Sequence, residues 1–95
     1  MPDREPIGRH LDMLCDAAGI VAKSQYATLS LIQRRVRVGF ATAVRLLTML
    51  EEHGITGPYV KGHADVLVTE DMLPGVLATL REIASKEERD AGLPA

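Results

Sequence analysis

Residues 28–54 run TLSLIQRRVRVGFATAVRLLTMLEEHG, two helix-like halves separated by a valine and a glycine. In the second half Ala43, Leu46, Leu47 and Leu50 recur at i, i+3, i+4 and i+7, the spacing that aligns side chains on one helix face. Ala41, Thr42, Arg45 and Thr48 fall on the opposite face, so a helix over residues 40–53 has a core side and a solvent side. Gly54 follows it in the place of a helix-ending glycine. The first half is a shorter helix with Leu29, Leu31, Ile32 and Val36 apolar and Gln33, Arg34, Arg35 and Arg37 along its polar edge. Thr28 or Ser30 can cap it, the latter with Gln33 three residues on, where a capping box needs it. Val38-Gly39 reads as a tight turn in which the glycine takes a positive φ.

Upstream, Ile7, Leu11, Leu14, Cys15, Ala18, Val21 and Ala22 predict an amphipathic helix over residues 7–23. Gly19 is its weak point, costing about 1 kcal/mol against alanine. Tyr26-Ala27-Thr28 has strand character. Downstream, two β-branched runs, residues 55–60 and 66–68, flank a glycine-containing tip at residues 61–65, which predicts a hairpin. Thr69, Glu70 and Asp71 then open a helix over residues 70–88, with Leu73, Val76, Leu77, Leu80, Ile83 and Ala84 as its stripe. Pro74 fits only its first turn, and residues 87–95 are expected to fray. The order predicts one domain over residues 1–95, mainly α with a small β-hairpin. It is a winged helix-turn-helix with an extra C-terminal helix.

Ninety-five residues supply one core, not two. With Tyr26, Phe40 and Tyr59 as its only aromatics, the chain lacks the stacking platforms of single-strand binders. One cysteine makes no internal disulfide, the first ten residues are too polar for a signal peptide, and no apolar run spans a membrane. A reduced, cytoplasmic protein is expected. Net charge is −2, yet by segment it is −1 over residues 1–23, +4 over 24–50, −2 over 51–69 and −3 over 70–95. The stretch from Ser24 to Leu50 holds four arginines and no acid, and phosphate contacts would come from there. Ser30, His53 and Asp65 have no triad spacing, and His10, Cys15, His53 and His63 have no zinc-ligand spacing. No enzyme, cofactor or metal is expected.

The stretch from Tyr26 to Val68 resembles the γ domain of FtsK/SpoIIIE-type bacterial DNA translocases. The likeness rests on Ala27 and Ser30, the Gln33-Arg34-Arg35 run with Arg37 and Gly39, then Ala43, Arg45 and Leu46, and finally Glu52, Gly54, Gly57, Pro58, Val66 and Leu67. It implies a winged helix that binds duplex DNA, reads a short, polar, G-rich sequence to orient a motor, and touches a tyrosine recombinase. The family's Asn-Arg pair at the start of the recognition helix is Ala41-Thr42 here, so the target sequence should differ. The wing is slightly shorter, with Lys61 and His63 in place of Lys-Pro-Arg, and there is no Walker P-loop. With Met1 as the start, the chain is expected to be a γ-like protein without its motor.

Under that resemblance Arg45 contacts a base edge or phosphate; the plainer role is an exposed arginine paired with Glu52. Arg34 and Arg35 diverge by about 100°, so one holds phosphate and the other braces an acid. Arg37 reaches the DNA backbone or serves only the helix dipole. Thr42 and Thr48 bond phosphate, meet a thymine methyl or fill space. Gln33 is a cap or a base reader, and Lys61 and His63 touch phosphate or the minor groove unless they are merely a polar tip. Leu73, Val76, Leu77, Leu80 and Ile83 either cover the core in cis or pair two copies as a homodimer. The expected function is sequence-preferring double-stranded DNA binding, as a nucleoid-associated regulator or accessory of DNA transfer, segregation or recombination. A recombinase or DNA translocase is the expected partner, with no membrane. The alternative is a protein–protein interaction module without direct DNA readout, using the arginine face and the acidic last helix.

Overall fold

A 3₁₀ turn over Gly8–His10 leads into α1, Leu11–Ser24, so the helix expected from residue 7 starts with a tighter turn. The computed structural model describes residues 7–91; the polar lead-in at 2–6 and residues 92–95 of the expected tail lie outside them. Leu14, Ala17, Ala18, Val21 and Ala22 form the buried face of α1. Gly19 does not break it. A Cβ there would meet only Leu73 Cδ2 at 3.8 Å, an ordinary contact. Gln25 ends α1 in the left-handed region, φ 56°, its N–H donating to the Val21 carbonyl at 2.7 Å. Its side-chain Nε2 donates to the carbonyls of Ala22 (2.7 Å) and Val68 (2.9 Å), tying the end of α1 to a segment 43 residues on.

Thr28, not Ser30, caps α2, Leu29–Ile32: its hydroxyl oxygen accepts from the Leu31 N–H at 3.1 Å. The helix then widens into a π-helical turn over Gln33–Arg37, closed by Val38 N–H to the Gln33 carbonyl at 3.2 Å. The positive φ expected at Gly39 is found at Arg37, φ 64°, while Gly39 is extended at φ −78°, ψ 178°. The reason is the six-to-one closure. It reverses the chain one residue before the bonded N–H, at the position where helices usually carry glycine. Val38 and Gly39 are then free to run extended into the next helix.

In α3, Phe40–Glu52, the expected stripe Ala43, Leu46, Leu47 and Leu50 is buried, joined by Met49. Gly39 stands at its N-cap, its carbonyl accepting from Ala43 N–H at 3.0 Å. Gly54 follows with φ 74°, as its position predicts.

The expected β-hairpin does not form a sheet among the described residues. Isolated antiparallel bridges take its place, at Ala27 with Ala64, Thr56 with Val66 and Val60 with His63. Three residues separate Thr56 from Val60 but two separate His63 from Val66, so one limb has a residue too many. The surplus limb contains Pro58, which has no N–H to donate to a ladder. The tip is also narrower than expected, with Lys61 and Gly62 alone making the turn.

A 3₁₀ turn over Glu70–Met72 precedes α4, Leu73–Ala91, with Pro74 in its first turn. The fraying expected from Glu87 is absent from the described residues: the helix continues to Ala91. Tertiary contact explains this. Ile7 buries its side chain, and its N–H donates to Glu87 Oε1 at 2.9 Å. α1 packs on both α3 and α4, and α2 packs on α3. Leu80 and Ala84 of α4 join the core, while Leu73, Val76, Leu77 and Ile83 are half-buried against it. No helix among the described residues is long and apolar enough to cross a membrane.

Candidate functional site

The four arginines lie on two adjoining elements. Arg34, Arg35 and Arg37 are exposed on the π-helical turn after α2, and Arg45 is exposed on α3, which packs against α2. Gln33 is half-buried at the start of the π turn, so it is held nearer the core than the arginines beside it. Arg37 is presented from a left-handed backbone that a non-glycine residue adopts at a cost of about 1–2 kcal/mol.

Outward-facing α3 is a mixed surface. At about 100° per residue, Val44 and Arg45 mark the edges of an arc that holds Ala41 and Thr48 between them. All four are exposed, and Phe40 flanks them on the first turn. Thr42 lies off this arc and is half-buried. Thr48 Oγ1 donates to the Val44 carbonyl at 2.9 Å, which commits its proton inside the helix and leaves its methyl group and an oxygen lone pair for an outside partner. Phe40, 66% exposed, and Val44, 38% exposed, were not among the sequence-predicted site residues. The signal for Val44 was present, because it sits three residues after Ala41 and four before Thr48.

Lys61 and His63 belong to a separate feature, a two-residue turn of Lys61 and Gly62 with His63 just after it. Lys61 (φ 55°) and Gly62 (φ 89°) are both left-handed, the type I′ geometry that suits a tight hairpin. Val60 N–H donates to the His63 carbonyl at 2.9 Å, and His63 N–H returns a bond to Val60 at 3.3 Å. Two links place this limb beside the helices. Ala64 N–H donates to the Ala27 carbonyl at 2.9 Å, and the Leu29 N–H at the start of α2 donates to Tyr59 Oη at 3.4 Å. The structure therefore links Gln33–Arg37 to α3 through α2, and Lys61 and His63 to both through this strap.

Cys15 sits half-buried in the α1 stripe, where burial pushes its thiol up from the ordinary range; nearby Arg81 opposes that, while Asp12 and Asp16 add to it. Among the described residues no group of three or more His, Cys, Asp or Glu side chains is placed to hold a metal ion. What the surface offers is guanidinium groups for anionic oxygens, one arginine among apolar side chains on α3, and a cationic turn.

The family model described as the FtsK gamma domain matches residues 10–69, which takes in α1, α2, α3 and the turn. The chain is 49% identical over 78 residues to the DNA translocase FtsK of Streptomyces avermitilis, covering 81% of this chain and 9% of that protein. It is 43% identical over 76 residues to the DNA translocase FtsK of Mycobacterium tuberculosis, covering 79% and 9%. Against the protein of that name from Tropheryma whipplei it is 39% identical over 85 residues, covering 88% and 12%. The chain thus spans about a tenth of the length of these relatives. No solved structure matches it significantly.

Proposed function

The chain belongs to the FtsK gamma domain family, and on that premise we propose that it binds double-stranded DNA with sequence preference and does no catalysis of its own. In this reading α2 and α3 act as the helix-turn-helix and α3 enters the major groove. The bridged segment around Lys61 and Gly62 is a reduced wing. The observation that carries it is the segregation of charge. Arg34, Arg35, Arg37 and Arg45 project from the π turn and α3, both packed with α2, and the stretch from Ser24 to Leu50 that carries them has no acid. Lys61 and His63 add phosphate or minor-groove contacts, and Gln33 positions the π turn.

The cellular role that suits such a surface is nucleoid-associated, as a regulator or as an accessory in DNA transfer, segregation or recombination beside a translocase or recombinase. Pairing of two copies through α4 is supported by the half-buried Val76 and Ile83, which line an apolar hollow of about 370 Å³. Sedimentation of the purified chain tests that part, and a monomer at micromolar concentration removes it.

Mobility shift against random-sequence duplex over a salt series tests the main reading. Binding should weaken steeply as salt rises, and Arg45→Ala should both weaken it and relax its sequence preference. No shift with any duplex at low salt overturns it.

A further inference from the structure

We infer that the exposed face of α3 reads the C5-methyl groups of thymine, so that the preferred duplex is thymine-containing around a single guanine contact. The inference rests on the proposed entry of α3 into the major groove. It names what that helix can recognise there.

The inference starts from the side chains at the front of α3. Phe40, Ala41 and Val44 are exposed within its first two turns, with Phe40 at 66% and Val44 at 38%. None of these three side chains can donate or accept a hydrogen bond. Thr48, one turn further on the same arc, has its hydroxyl proton bonded to the Val44 carbonyl at 2.9 Å, so it offers a methyl group and an oxygen lone pair but no donor. Arg45 is the only basic residue of α3. Asn and Gln, which suit adenine, are absent from the helix, and its only acids are Glu51 and Glu52 at the far end.

Base edges in the major groove offer hydrogen-bonding groups at every pair and one apolar group, the thymine methyl. A face of valine, alanine, phenylalanine and a threonine methyl complements that group best. Arginine complements guanine through O6 and N7. Charge fixes which end approaches. Glu51 and Glu52 would meet phosphates if the C-terminal turn led, whereas the N-terminal turn is acid-free, carries the positive end of the helix dipole and adjoins Arg37.

The test begins with selection of bound sequences from a random duplex pool using the full chain. The best duplex is then remade with deoxyuridine for each thymine in turn, which removes one methyl group and leaves the pairing unchanged. Each contacted thymine should cost about threefold to fivefold in affinity, the loss expected for burying one methyl group. Val44→Ala, at an exposed position, should shrink that penalty at one thymine while leaving the others. Arg45→Ala should weaken the thymine and uridine duplexes alike.

Selected sites without thymine enrichment, or equal affinity for thymine and uridine duplexes, overturn the inference and leave DNA binding standing. Absence of binding to every duplex overturns both together.

Discussion

Arg37 holds two roles in one residue, and they make opposite demands. Its backbone is left-handed at the residue that ends the π turn, a position suited to glycine. Its side chain is exposed beside Arg34 and Arg35. Arg37→Gly should therefore raise stability by about 1 kcal/mol, read as a higher midpoint in urea, because the Cβ penalty disappears. The same variant should bind duplex DNA more weakly if the guanidinium meets phosphate. Opposite signs in the two measurements separate backbone strain kept for a contact from strain kept for nothing. Cys15 is the contrasting case, an inert residue. Burial raises its pKa in the folded chain, so the folded state holds the thiol proton more tightly than the unfolded state does. That stabilisation is present below the unfolded thiol pKa and fades as pH climbs through the folded one. Alkylation by iodoacetamide at neutral pH should be several-fold slower in buffer than in denaturant, and equal rates would contradict the packing described for α1.

The helices divide into those the sequence pattern specifies and those set by tertiary context. The stripe of α3 was legible because four apolar residues repeat with the helical period and every one is buried. The π turn was not, since its extra residue depends on a six-to-one closure that no local pattern announces. Gly39 looked like the reversal point by composition alone, and the reversal lies two residues earlier. β-branched runs predict a hairpin, but they do not register that Pro58 and one surplus residue break the ladder. The candidate site was legible in its arginines, because charge is counted without coordinates. It was less legible in Phe40 and Val44, because apolar residues are assumed to face inward. α1 allows a direct test of helix against context. Nothing closer than Leu73 Cδ2 opposes a Cβ at Gly19, so Gly19→Ala should gain about 0.5–1 kcal/mol from helix propensity. In a domain of this size that is a rise of roughly 2–8 °C in Tm by calorimetry. A fall would mean that α1 and α4 lie closer than 3.8 Å contact allows.

Taken whole, the molecule is two electrostatic surfaces under one small net charge. The segment at +4 covers α2, the π turn and most of α3, while α4 and its preceding turn carry the largest acidic surplus. Four phosphates neutralised by the arginines would give a slope of log affinity against log salt of about −3.6 on B-form DNA. Arg34→Ala should flatten it by about one without altering sequence preference, as mobility shifts across salt would record. If the arginines meet phosphates, the acidic surplus of α4 would be repelled by them, an asymmetry that the total charge conceals.

The bond from Ile7 N–H to Glu87 Oε1 joins residues 80 apart, and its consequence is topological. It closes a loop that takes in every helix, so the late turns of α4 are stapled to the entry of α1. Glu87→Ala should open that loop and cost about 1 kcal/mol, read as a lower midpoint in urea. An unchanged midpoint would mean that the bond closes nothing. The first and last helices are thus neighbours in the fold although they are the farthest apart along the chain.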